Sequence, residues 1–241
     1  MIHIGTSGWS YDHWEGVLYP PGTSSRARLD WYVGRFTTVE VNSSYYHWPR
    51  DTTFASWRAR TPEGFRLTIK APRGLTHAKR LYEPETWIER MERGLQELGD
   101  RLGVLLVQLP ATFEYDYPRL EYFLDRIPAW IKVAVELRHP SWDRADVWAL
   151  LEHRGAAYCV MSGAGLPCIL RATAPFVYVR LHGPDLQYLY GGSYSDDDLH
   201  WWADRVREWT ADGREVWIYF NNDWGGNAVR NAATLRGLLG V

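Results

Sequence analysis

The sequence predicts a single-domain (β/α)8 barrel over residues 1–241, with the sixth helix degenerate or missing. Three observations carry this. Short β-like runs recur along the whole chain, helical patterns fall between them, and several runs are almost continuously apolar. Val104-Leu105-Leu106-Val107 is an example, and such runs mark parallel strands covered by helices.

The eight runs are His3–Thr6, Thr38–Asn42, Arg66–Ala71, Val104–Leu109, Lys132–Leu137, Ala157–Met161, Phe176–His182 and Glu215–Asn221. Between them, Pro84 opens a helix that runs to Leu98 and stops at Gly99. Ser141 reads as the cap of a helix carrying Val147, Leu150 and Leu151, ending near Gly155. Ser195 reads as an N-cap followed by Asp196, Asp197 and Asp198, where acids suit the helix dipole. Leu199, Trp202, Val206 and Trp209 then repeat at helical spacing, and Gly213 follows. The connection from Met161 to Pro175 is short and contains Gly163, Gly165 and Pro167, which predicts a degenerate or missing sixth helix. Alternating strands and helices make right-handed βαβ units.

Composition narrows the function classes. The chain of 241 residues has a formal net charge of −2, so no global field attracts nucleic acid or membrane. The charge is uneven, however. Between Arg50 and Arg80 stand eight Lys/Arg against two Asp/Glu, while the remainder holds 19 against 27. Two cysteines, Cys159 and Cys168, have neither zinc spacing nor a disulfide framework, and read as two buried thiols in a reducing compartment. The chain shows no signal segment and no long apolar run, so a cytoplasmic location with no membrane association is expected. No cofactor and no metal are expected.

Barrels of this class place their working residues at the C-terminal ends of the strands. Those ends are polar here: Thr6 with Trp9 and Tyr11; Glu40 and Asn42 with Tyr46; Lys70 with His77; Gln108; Glu136 and Arg138 with Trp142; Arg180 and His182; Asn221 and Asn222. Glu40/Asn42, Glu136/Arg138 and Arg180/His182 are each two apart, so each pair shares a strand face. Buried charges need partners. Glu40 and Glu136 neutralise two of Lys70, Arg138 and Arg180, and a surplus cation suits a phosphate or carboxylate. The loop from Arg73 to Arg80 adds further positive charge beside Lys70. Gly183, Gly191, Gly192, Gly225 and Gly226 supply turns near strands seven and eight, where barrels often hold phosphate. The aromatic residues crowding this end suit stacking on bases or sugar faces.

Several runs together resemble the YecE-like family, a domain of unknown function numbered seventy-two. They are Gly5-Thr6-Ser7-Gly8-Trp9-Ser10-Tyr11, Val39-Glu40-Val41-Asn42-Ser43-Ser44-Tyr45-Tyr46, Lys70-Ala71-Pro72-Arg73 with Thr76-His77, and Gln108-Leu109-Pro110. Val135-Glu136-Leu137-Arg138-His139-Pro140-Ser141-Trp142, Tyr178-Val179-Arg180-Leu181-His182-Gly183 and Phe220-Asn221-Asn222 complete the set. Two departures are Ser44-Tyr45 in place of the more usual Thr-Phe, and Ala111 where a second proline is common. The resemblance implies a barrel with these residues at its C-terminal mouth and supplies no reaction. Its fold is similar to the endonuclease IV and xylose isomerase barrels, which is an analogy of fold alone.

The first functional expectation is an enzyme or binding protein for a small phosphorylated molecule, nucleotides and nucleic acid included. Its enzymatic form is a hydrolase or lyase. Lys70, Arg138 and Arg180 hold the anion, Glu40, Glu136 and His182 are the acid–base groups, and Asn42, Gln108, Asn221 and Asn222 orient the ligand. Thr6, Trp9, Tyr11, Tyr46, His77 and Trp142 complete the expected lining. The alternatives are a glycoside-processing enzyme using Glu40 and Glu136, a metal-dependent phosphodiesterase resembling endonuclease IV, and a non-enzymatic DNA binder.

Overall fold

A computed structural model describes residues 1–241. Its strands are β1 (Ile2–Thr6), β2 (Thr38–Val41), β3 (Arg66–Lys70), β4 (Leu102–Gln108), β5 (Val133–Glu136), β6 (Ala157–Ser162), β7 (Phe176–Leu181) and β8 (Glu215–Phe220). They form one eight-stranded sheet in the order β1-β8-β7-β6-β5-β4-β3-β2. The paired strands run parallel, and a parallel bridge between Ser7 and Glu40 joins the ends of that order. The helices are α1 (Arg28–Val33), α2 (Ser43–Tyr46), α3 (Asp51–Arg60), α4 (Glu85–Leu98), α5 (Tyr117–Arg126), α6 (Ala145–Arg154), α7 (Asp196–Ala211) and α8 (Asn227–Leu239). This is the (β/α)8 class, and no helix stands between β6 and β7, as the short glycine-bearing connection predicts. No helix is long and apolar enough to cross a membrane.

The chain divides into two compact units. The first comprises Met1–Glu40, Val160–Leu170 and Pro175–Val241; the second comprises Val41–Cys159 and Arg171–Ala174. In the first, β1 pairs with β8 and β8 with β7. All six residues of β7 are buried, Arg180 included. The α7 stripe expected from the sequence is buried at Leu199, Trp202, Val206 and Trp209. Ser195 caps that helix with a reciprocal box, its hydroxyl accepting from the Asp198 N–H while the Asp198 carboxylate accepts from the Ser195 N–H.

In the second unit, β3, β4 and β5 pair in sequence. The Lys70-bearing strand ends in a π-helical turn, Gly74–Ala78, that carries His77. Arg80, Leu81 and Glu83 follow with positive φ, a conformation that non-glycine residues adopt only when their surroundings hold it. α4 starts after Pro84 and stops at Gly99, as expected. α3 carries no helical stripe, since Phe54 is its only buried residue.

Two expectations are corrected. Ser141 caps no helix: α6 begins at Ala145, and Ser141 lies in the preceding 3-10 turn, where its hydroxyl accepts from the Tyr115 N–H at 2.8 Å. The residue before Pro140 is extended, and the turn that follows delays the helix. The cysteines also differ from each other: Cys159 is buried and Cys168 exposed. The connection that carries Cys168 has no helix to cover it.

Candidate functional site

Each unit carries one carboxylate–arginine pair from the strand ends. In the first unit, Glu40 and Arg180 are both fully buried. Arg180 donates from Nε to Glu40 Oε2 at 3.0 Å and from Nη2 to Oε1 at 2.8 Å. Tyr178, two residues before Arg180 on the same strand face, donates its hydroxyl to Oε2 at 2.5 Å. The Ser7 hydroxyl donates to Oε1. Both oxygens are therefore saturated, and the Glu40 carbonyl accepts from the Gly8 N–H at 2.7 Å. Burial and the Glu40 charge push the Tyr178 phenol well up, so it remains a donor. Glu40, expected as a general base, is instead the acceptor of a buried pair, and Arg180, expected to hold a ligand anion, spends Nε and Nη2 on it.

His182 and Asn222 are fully buried in the same unit, and Asn221 is nearly so. The Asn221 amide lies 3.1 Å from His182 Nδ1. Asn222 donates to the Gly192 carbonyl at 3.0 Å and to Asn231 Oδ1 at 2.9 Å. Together these bonds fasten the loop after β7. Gly183 permits the fastening, because a side chain at its φ of +105° would meet the Gly191 carbonyl at 2.1 Å. Thr6 is a packing residue, its hydroxyl and N–H both 2.9 Å from the Tyr32 hydroxyl. Trp9 and Tyr11 are half-buried.

The second unit is built differently. Arg138 donates from Nε to Glu136 Oε1 at 2.5 Å, and the buried thiol of Cys159 lies 3.8 Å from Glu136 Oε2. Gln108, also buried, stands in register with Glu136. Lys70 Nζ lies over the Tyr45 ring, 4.4 Å from its centroid. His77 meets the same ring edge-on at 5.1 Å, and its Nδ1 lies 3.0 Å from the Thr76 hydroxyl. Partial burial lowers the His77 pKa from 6.5 to about 4, helped by the charges of Lys70, Arg138 and Arg73, while Glu136 opposes. Three cations thus act on this point against one carboxylate.

Beside them lies a cavity of about 360 Å³ lined by Tyr45, Tyr46, Trp48, Arg73, Trp87 and Arg90, among others. Tyr46 is well exposed there, as a stacking face must be. Asn42 is half-buried at the start of α2. Trp142, expected as part of the lining, is instead buried packing: 1% exposed, with its indole N–H donating to the Phe113 carbonyl at 2.7 Å. Sequence reasoning named Arg73 only as part of a basic loop and did not single out Trp87 or Arg90. Both lie on α4, outside the strand ends, and only their place in the cavity marks them. No group of three or more His, Cys, Asp or Glu side chains converges as metal ligands do.

UPF0759 protein YunF of Bacillus subtilis (strain 168) is 28% identical to this chain over 279 aligned positions, covering 100% of the chain and 95% of YunF. UPF0759 protein YecE of Escherichia coli (strain K12) is 32% identical over 143 positions, which span 59% of this chain and 50% of YecE. Among solved structures, a DUF72 family protein from Thermotoga maritima matches with a TM-score of 0.89 and 30% identity over 100% of both chains. D-psicose 3-epimerase, solved in the presence of D-fructose, matches with a TM-score of 0.60 and 12% identity over 91% of this chain and 95% of its own, a likeness of fold alone. Residues 3–241 match the family described as "Protein of unknown function DUF72", and the chain belongs to that family.

Proposed function

We propose that this protein binds a phosphorylated ligand through the cluster of Lys70, Arg73, His77 and Arg138 in the second unit. The observation that carries the reading is the grouping of Lys70 and His77 on the Tyr45 ring, with Arg73 lining the adjacent cavity. Burial and three neighbouring cations hold this imidazole neutral far below its ordinary range. Burial, the larger cause, disfavours any charge, but the share due to Lys70, Arg138 and Arg73 is a positive field that attracts an anion. The Tyr46 face and the adjacent aromatic cavity supply stacking surface for a base or sugar attached to the phosphate. Gln108, in register with Glu136, supplies a neutral group to orient the ligand.

In the enzymatic form of this reading, a hydrolase or lyase, neutral His77 is the proton acceptor at neutral pH. Glu136 stays paired to Arg138. The glycoside alternative needs a carboxylate pair able to exchange protons and attack. Both expected carboxylates are instead held by guanidiniums, which counts against it.

The test is titration of the protein with inorganic phosphate and with adenosine monophosphate at two salt concentrations, read by calorimetry and by the His77 ring signals in NMR. Binding that weakens with salt and raises the His77 pKa is expected, because proton and anion binding are reciprocally coupled. Lys70→Ala lowers the affinity by about tenfold or more. A His77 signal unmoved by either compound at millimolar concentration overturns the reading.

A further inference from the structure

A groove of about 530 Å³ within the first unit is lined by none of the strand-end residues. One wall is α8, where Val229, Ala233, Arg236 and Gly237 recur at helical spacing. The rest comes from Val17 and Leu18, which follow β1, and from Arg35 and Phe36 in the corner between α1 and β2. The floor is apolar, with Leu18, Phe36 and Val229 all buried.

Three guanidiniums, those of Arg35, Arg230 and Arg236, stand around this floor, and no acidic side chain lines it. Their present partners are neutral. Arg230 Nη1 donates to the Gly225 carbonyl at 2.7 Å. Arg236 Nη1 donates to the Arg35 carbonyl, with its guanidinium carbon 5.6 Å from the Phe36 ring centroid. The Arg35 side chain has no hydrogen bond or ion pair. Some other surface arginines have an acid close by, as in Arg119–Asp116, Arg144–Asp146 and Arg207–Asp204. The lining, which also includes Val241, holds three arginines and no acidic side chain. Arginines of one sign around an apolar floor make a positive potential that an anion lowers.

We infer that this groove binds a small organic anion carrying at least two negative charges on an apolar body, either an organic phosphate or a polycarboxylate. The planar guanidinium fork matches the oxygens of both groups. The groove falls within the roughly 300–1,000 Å³ typical of small-molecule sites. The apolar floor takes the carbon skeleton, so an inorganic ion gains less.

Calorimetric titration of the full chain with glucose 6-phosphate, citrate and inorganic phosphate tests this. Saturable binding of glucose 6-phosphate or citrate, tighter than that of inorganic phosphate, is expected, and the better of the two identifies the class. Arg35→Glu should weaken that binding by about tenfold or more. Gly237→Leu should weaken it comparably by filling the groove, since a Cβ at Gly237 meets nothing within 4 Å and leucine is the better helix former. Gly237→Leu keeps the inference testable where charge reversal impairs folding. Lys70→Ala should leave intact the component of binding that the two groove variants remove, while weakening any component that belongs to the second unit's cluster. The inference is overturned by no saturable binding of either organic anion, by binding that both groove variants leave intact, or by binding lost in Lys70→Ala alone, which belongs to the second unit's cluster.

Discussion

The two carboxylate–arginine pairs are alike in composition and opposite in construction. Glu40 and Arg180 lie 140 residues apart in sequence and are fully buried, with four donors from Ser7, Tyr178 and Arg180 spent on one carboxylate. Glu136 and Arg138 are two residues apart on one chain segment. Their arginine keeps 11% of its side chain exposed, and they sit among additional cations. A pair that closes on itself specifies structure. A pair embedded in surplus charge leaves a field for something else to answer. The same residue types therefore carry different meanings, and the neighbours, not the pair, decide which.

The largest expected effect separates the two pairs by stability. Removing one partner of a buried ion pair leaves the other charge unanswered, at about 3–5 kcal/mol. Arg180→Ala should lose that much in urea unfolding. Arg138→Ala should lose less, because its side chain is 11% exposed and water can enter the space it vacates beside Glu136. Equal losses would erase the distinction between the pairs.

Next in size is Tyr178→Phe. It keeps the ring and removes the 2.5 Å bond to Glu40. A loss of about 2 kcal/mol is expected, with phosphate affinity at the second unit unchanged. A variant as stable as the parent would mean that the hydroxyl is redundant.

The smallest effect is a pH slope. His77 takes a proton at about 4 when folded and at about 6.5 when unfolded. Its neutral form thus contributes stability that is complete above pH 6.5 and is lost as pH falls toward 4. In His77→Asn the urea midpoint should decline less over that window than in the parent. The opposite change in slope would show His77 sitting near a net negative field.

The scaffold was largely legible because its signals are local. Apolar runs placed every strand to within about two residues, and glycines with a short connection revealed the missing helix. Ser195 followed by three aspartates marked the start of α7. α3 escaped notice because it buries only Phe54 and so has no stripe to read. Ser141 misled because a 3-10 turn separates a good capping residue from its helix. For the site, strand-end position named Lys70, Glu136, Arg138 and His77 together with Glu40, Arg180 and His182, and did not mark the first four as a group of their own. It could not tell that Glu40 was saturated, since its partner stands on β7 and no local pattern encodes a pairing over that span. Nor could it separate Tyr46, exposed, from Trp142, buried, because burial of an aromatic residue is set by what packs over it.

That span also has a consequence in time. Translation delivers roughly 5–20 residues per second, so the 140 residues between Glu40 and Arg180 correspond to roughly 7–28 s of synthesis. Throughout that interval the carboxylate has emerged and its guanidinium has not. The seam that Glu40 makes with Ser7 and Gly8 therefore cannot be sealed into a dry interior until most of the polypeptide exists, and a ribosome stalled before β7 holds a chain whose first strands still need water.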